Sequence, residues 1–164
     1  MLNWSDVLSK PELQNLPYKI ELNALGNIVM SPVKFLHSCY QAEIVAQLNQ
    51  CLSGGRAGFE TAIQTSDNTK VPDVVWMSFA FIKTHLTYDE LPKAPEICVE
   101  VISPSNTMRE MKRKGKLYFE AGASEFWLCD LNGKMRFFDA TGQLESSGVA
   151  PSFPLQIDIA EQLR

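Results

Sequence analysis

The stretch Pro95-Glu96-Ile97-Cys98-Val99-Glu100-Val101-Ile102-Ser103-Pro104-Ser105 limits the fold more than any other part of the chain. Ile97, Cys98, Val99, Val101 and Ile102 make a short continuous apolar run bounded by prolines. Such a run fits a central strand covered on both faces. Glu100 interrupts it. A carboxylate in that position must meet a cation, a metal or several hydrogen-bond donors, or else stay protonated. The fold therefore has to deliver partners to Glu100, and the sequence offers Asp73, Lys114 and a divalent cation as the set.

One domain spanning residues 1–164 is expected for a chain of 164 residues. With 45% hydrophobic and 21% charged residues, it can bury a core without disulfides or structural zinc. Cys39, Cys51, Cys98 and Cys129 stand far apart, with no CxxC or Cys/His cluster. They read as small buried hydrophobes of a reducing compartment. The first residues lack the basic-then-apolar pattern of a signal peptide, and no apolar run spans a bilayer, so a cytoplasmic protein without a membrane partner is expected. A net charge of -4 argues against a general nucleic-acid coat. It leaves room for a local basic surface, which Arg109, Lys112, Arg113 and Lys116 supply.

Residues 18–23 alternate like a half-buried strand, 25–27 turn, and 28–30 return as a hairpin that Ser31-Pro32 should end. A short helix is expected near Ser9-Lys10-Pro11. Leu36, Tyr40, Ile44, Val45, Leu48 and Leu52 recur at helical spacing and predict a long helix over 35–52, stopped at Ser53-Gly54-Gly55. His37 falls in its first turn and reads as a surface or capping residue in preference to a catalytic one. Residues 57–65 alternate with period two and predict one strand. A turn follows at 66–69, then a short strand over 71–77 with Asp73 near its start, then one or two helical turns over 79–84. After the Glu100 strand, Thr107-Met108-Arg109-Glu110 matches a capping box and opens a helix that Gly122 ends. Strands over 124–130 and 135–139 flank an Asn132-Gly133 hairpin turn. Residues 149–163 are expected as an edge strand or loop.

The helix after Glu100 carries one misplaced charge. On a wheel of about 100° per residue centred on Lys114, Met111, Leu117, Tyr118 and Ala121 fall within about 60°, with Lys112 and Lys116 opposite. Lys114 is therefore the lysine of the apolar face, where an ammonium is costly unless it meets a carboxylate. Glu100 is the nearest candidate. Asp73, entering a neighbouring apolar strand, is the third member. An aspartate and a glutamate on adjacent strands suit a hard cation such as magnesium, which prefers oxygen ligands and keeps several waters. The ion polarises a phosphate and activates a water, and the lysine holds that water or the developing charge. Blander readings stand beside this one: Asp73 as a strand-start residue, Glu100 with Lys114 as a structural ion pair, and the basic cluster as a solvated helix face.

The order Pro72-Asp73, Glu100-Val101-Ile102-Ser103-Pro104-Ser105, Lys114-Gly115-Lys116-Leu117-Tyr118 and Gly122-Ala123-Ser124-Glu125-Phe126-Trp127 resembles the Uma2 family of restriction-type endonucleases, within the PD-(D/E)xK nuclease superfamily. Ser31-Pro32 and His37 resemble the family's segment before its first helix. The resemblance runs from Glu21 to Phe138. It implies an α/β (mixed α+β) fold: a restriction-endonuclease-like core whose mixed central sheet is flanked by two main helices, with an N-terminal hairpin. It also implies a divalent-metal site, DNA as substrate and a homodimer. Asp73 and Glu100 take the metal-binding places and Lys114 that of the catalytic lysine. In the superfamily's wider E-x-K pattern the lysine lies two residues after the acid, where this chain has Ile102. Here it has moved to the helix, a habit of this family that agrees with the wheel. Glu21, on the hairpin where the family tends to carry a glutamate, and Tyr118, on the Lys114 face, are further candidates. Their alternatives are an ordinary strand-surface role and a core role.

The expected function is a magnesium-dependent endonuclease, with manganese as a substitute ion, that cleaves DNA phosphodiester bonds through a metal-activated water. The alternatives are a catalytically silent nuclease-fold module serving dimerisation or nucleic-acid binding, and a nuclease acting on RNA or on branched DNA. A buried Asp, Glu and Lys without a chemical task would be expensive to keep, which favours the enzyme.

Overall fold

In the computed structural model, which describes residues 1–160, the chain runs through α1 (Trp4–Ser9), β1 (Tyr18–Leu22), β2 (Ile28–Pro32), the long α2 (Phe35–Cys51), β3 (Gly55–Phe59), β4 (Ile63–Thr65), β5 (Asn68–Lys70), β6 (Val74–Ser78), the short α3 (Phe79–His85), β7 (Ile97–Val101), α4 (Met108–Glu120), β8 (Glu125–Cys129), β9 (Met135–Asp139) and β10 (Gly142–Leu144). Six strands form one mixed sheet in the order β10-β9-β8-β7-β6-β3. Only β7 and β8 run parallel, because α4 carries the chain back between them. β7 is central and every residue in it is buried, as an apolar run between two layers requires.

Strand alternation sorts the two faces of the sheet. Ile97, Val99 and Val101 of β7 join Val74, Trp76 and Trp127 in one core, capped by Tyr40, Ile44 and Leu48 of α2. Cys98, Val75, Phe126 and Leu128 face the other way and pack on Met111 and Tyr118 of α4. Glu100, two residues beyond Cys98, points toward α4. That helix starts as expected: Thr107 Oγ1 accepts from the Glu110 amide at 3.1 Å, and the Glu110 carboxylate accepts from the Thr107 amide at 3.5 Å. Gly115 lets it lie low, since a Cβ there would come within 2.5 Å of the Phe126 ring.

Several expectations are corrected. Residues 57–65 are two strands, because Glu60 adopts φ +39°, a conformation uncommon outside glycine, and the chain leaves the main sheet there. Ile63–Thr65 pairs instead with Asn68–Lys70. The alternation masks the break because each half keeps period two. The first hairpin continues past Met30: Ser31 pairs with Lys19 and Pro32 with Tyr18. Proline is tolerated because this hairpin is a separate two-stranded sheet whose strands are both edges. An unexpected α1 is capped by Asn3 and Asp6, and the short helix expected near Ser9 is a single 3-10 turn, Pro11–Leu13. From Val149 to Ala160 the chain is loop, touching the sheet through a bridge between Lys134 and Gln156. Residues 161–163 of that expected tail lie outside the described residues. The four cysteines are unbridged, with Cys98 and Cys129 buried. Among the described residues no helix is long and apolar enough to cross a membrane.

Glu125, buried at the start of β8, anchors the C-terminal loop. Its Oε1 accepts from the amides of Gly148 (2.7 Å) and Val149 (2.9 Å). Its Oε2 accepts from Trp127 Nε1 and Ser147 Oγ, both at 2.7 Å. The loop thus held supplies Ala150, Phe153 and Ile157 to the α2-side core. Glu125→Ala would leave all these donors without an acceptor, and urea unfolding should show a loss of about 3–5 kcal/mol.

Candidate active site

Strand register brings the two acids together. Between β6 and β7, Val75 faces Cys98 and Val74 faces Val99. The pairing ends there: Asp73 stands just before β6, its amide donates to Val99 O at 3.0 Å, and Lys19 bridges its side chain to that of Glu100. Two like charges brought close together disfavour their charged forms, and these side chains belong to residues only 1% and 3% exposed. Two lysines answer them. Lys114 Nζ, from α4, lies 3.1 Å from Glu100 Oε1 and 2.9 Å from Glu21 Oε1. Lys19 Nζ, from β1, lies 2.7 Å from Asp73 Oδ1 and 3.5 Å from Glu100 Oε2. Tyr118 donates its hydroxyl to Glu100 Oε1 at 2.7 Å. Asp73 Oδ2 accepts from the Val101 amide at 2.7 Å and faces His37 Nε2 at 3.2 Å. His37 Nε2 also lies 3.1 Å from Val101 O. With acceptors on both sides, that nitrogen carries a proton.

The hairpin is docked through the same cluster. Lys19 and Glu21 are two residues apart on β1 and so share a face. Glu21 Oε1 also accepts from the Val71 amide at 2.8 Å, and Lys70 Nζ donates to Leu22 O at 2.6 Å. A cleft of about 190 Å³ opens beside the acids, with Lys34, Glu60, Ser103 and Asn106 among its walls.

Burial pushes the Asp73 carboxyl up, but Lys19 and His37 outweigh it and hold Asp73 well below the usual carboxylate range. Glu21 is also lowered, with burial opposed by Lys114 and Lys19. At Glu100 burial wins, and its carboxyl sits above the ordinary value although both lysines pull it down. Burial opposes the charge on Lys114 and on Lys19, yet the facing carboxylates raise both ammonium groups, so both stay charged. Burial and the Glu100 charge push the Tyr118 phenol well up, keeping it a donor. His37 is raised: burial opposes, but its contact with Asp73 prevails.

A family model described as "Putative restriction endonuclease", Uma2, matches residues 4–146. The chain belongs to the Uma2 family. Among solved structures, a protein titled a putative nuclease belonging to DUF820, from Anabaena variabilis, superposes with a TM-score of 0.71 at 19% identity, covering 98% of this chain and 97% of that one. At such identity the likeness speaks for the fold. No curated protein matches the chain.

Within this Uma2 fold, Asp73, Glu100 and Lys114 belong to one connected cluster, with Glu100 linking the other two through Lys114 on one side and Lys19 on the other. Glu21 is buried and bonded to Lys114, so it is not a strand-surface residue. Tyr118 donates to Glu100 Oε1, the oxygen that Lys114 also meets. His37 corrects the surface or capping expectation, because the first turn of α2 lies over the end of β7 and points the imidazole at Asp73. Lys19 is the residue that sequence reasoning missed; its i, i+2 spacing to Glu21 was the available signal. Arg109, Lys112, Arg113 and Lys116 are exposed. Arg113 bonds Asp67 at 2.9 Å, and Lys116 lies 3.7 Å from Glu120.

The oxygen donors suit a hard cation. Asp73 Oδ1 and Glu100 Oε2 converge on one point, where an ammonium now rests. Among the described residues no group of three or more His, Cys, Asp or Glu side chains forms a metal cluster. Magnesium held by Asp73 and Glu100 would therefore keep most of its ligands as water, which is its usual habit.

The histidine generates a pH prediction. A folded-state pKa above the ordinary value means that the His37–Asp73 contact stabilises fully below about pH 6.5 and loses this contribution as pH rises through the raised value. The stability advantage of wild type over His37→Gln, measured by urea unfolding, should be larger at pH 5.5 than at pH 9.

Proposed function

We propose that this Uma2 protein is a divalent-metal-dependent endonuclease that hydrolyses DNA phosphodiester bonds, with magnesium, or manganese in its place, as the ion. One observation carries the proposal: a buried aspartate and glutamate brought together where the start of β6 adjoins the end of β7, with a charged lysine on the glutamate and a cleft at their side. Membership of a family described as a restriction endonuclease supports the choice of substrate. Asp73 and Glu100 would hold the ion, which when bound supplies charge neutralisation at the phosphate and a more acidic water.

The chain's own residues do the rest. Lys114, kept charged by Glu100 and Glu21, offsets the negative charge that grows on the phosphate. Tyr118 fixes one oxygen of Glu100, and the Val101 amide and His37 fix one oxygen of Asp73, so each acid keeps a defined orientation. Glu21, tied to the Val71 amide, holds Lys114 in place. Exposed Arg109, Lys112, Arg113 and Lys116 would meet backbone phosphates. A homodimer is part of the proposal, and light scattering in solution tests it.

The second reading, a catalytically silent nuclease fold, is favoured by one observation: both acids are already paired with protein cations. Nicking of supercoiled plasmid with magnesium or manganese separates the two, with an RNA of similar length as the competing substrate. Wild type should nick the plasmid. Asp73→Asn, Glu100→Gln and Lys114→Met, shown folded by circular dichroism, should each lose about 100-fold or more. Activity that survives all of these changes removes the site. No cleavage by folded, metal-loaded wild type leaves the silent reading. In binding assays, Lys112→Ala and Lys116→Ala should weaken DNA binding about equally across sequences and lower the salt slope by about one unit each.

A further inference from the structure

The point between Asp73 and Glu100 is filled by an ammonium of the chain itself. We propose that Lys19 is a displaceable internal counter-ion: it occupies the cation position of the metal-free protein, and a divalent ion loads by evicting it into the cleft. This inference rests on the metal-dependent reading above and adds to it the way the site is kept and opened.

The two lysines are held differently, which singles out Lys19 as the one that leaves. Lys114 bonds both Glu100 and Glu21, and Glu21 is itself fixed by the Val71 amide. If Glu100 turns to a metal, Lys114 keeps Glu21. Lys19 bonds only the two acids that a metal would take, Asp73 Oδ1 and Glu100 Oε2. It also has a way out. It stands on the first hairpin, which forms its own two-stranded sheet apart from the main one, and it lines the cleft.

Charge counting favours exchange over co-occupancy. Asp73, Glu100 and Glu21 carry three negative charges against the two ammonium groups, leaving one negative charge with His37 neutral. A dication added beside both lysines would leave a buried positive excess and set like charges on the same two oxygens. A dication that replaces Lys19 leaves the cluster neutral, and buried uncompensated charge is what such sites avoid. The opposed acids are thus never left bare: the metal-free protein is neutralised by its hairpin and the loaded protein by its ion.

The test uses the full chain and manganese alone. In wild type, limited acetylation with acetic anhydride, read by mass spectrometry, should modify Lys19 slowly without metal and several-fold faster with saturating manganese, while Lys114 stays protected. Lys19→Met keeps the stem and removes the charge. If the state with Lys19 withdrawn makes up a tenth or less of the metal-free protein, calorimetry should find manganese bound about tenfold or more tightly by the variant. The metal-free variant should melt below wild type, with a larger rise on adding manganese. Equal affinities, or Lys19 labelling that ignores the metal, would overturn the displacement while leaving the metal reading intact. Failure of manganese to bind either protein, or undiminished binding by Asp73→Asn, would overturn the metal reading and this inference together. If Lys19→Met does not fold, labelling of wild type decides alone.

Discussion

Two buried carboxylates brought together where the start of one strand adjoins the end of the next, under a helix, are the burden around which this protein is arranged. Left alone, Asp73 and Glu100 would repel at close range and would be cut off from water. The surrounding elements can be read as answers to that problem. α4 brings Lys114 and Tyr118, β1 brings Lys19 and Glu21, α2 brings His37, and the strand beneath offers the Val101 amide. Elements that share no local sequence signal are held together by one electrostatic demand.

The partners are not equivalent. Glu21 and Lys114 form an inner pair anchored to backbone through Val71, and Tyr118 closes the same oxygen of Glu100. Lys19 and His37 stand toward the cleft, half-buried, and meet the acids from elements outside the main sheet.

Much of this was legible in the sequence. Glu100 in an apolar run announced a buried acid, and the wheel around Lys114 announced the cation meant for it. The capping box fixed where α4 begins, and Asp73 after Pro72 marked the entry of the neighbouring strand. These signals are local or depend on one periodicity. Lys19 carried only its i, i+2 spacing to Glu21 and His37 no such mark, because each meets an acid many residues away and the meeting is set by how a free-standing hairpin and a helix end dock on the sheet. Glu60 was invisible for another reason: period two persists on both sides of the kink, so a single left-handed residue splits the strand without disturbing the pattern. Glu125 was present in the family-like motif, yet its work, gathering donors from a loop some twenty residues further on, became apparent only in three dimensions.

Gly115 works as a spacer made of nothing. Because no methyl group separates α4 from the Phe126 ring, the helix rests at its lowest height above the sheet, and the neighbouring lysine needs no stretch to touch the acid below. Any larger residue would act like a shim under a bearing, lifting the whole axis and withdrawing the amine by a comparable amount. The reach of the lysine is therefore gauged one position away from it, by a hydrogen atom.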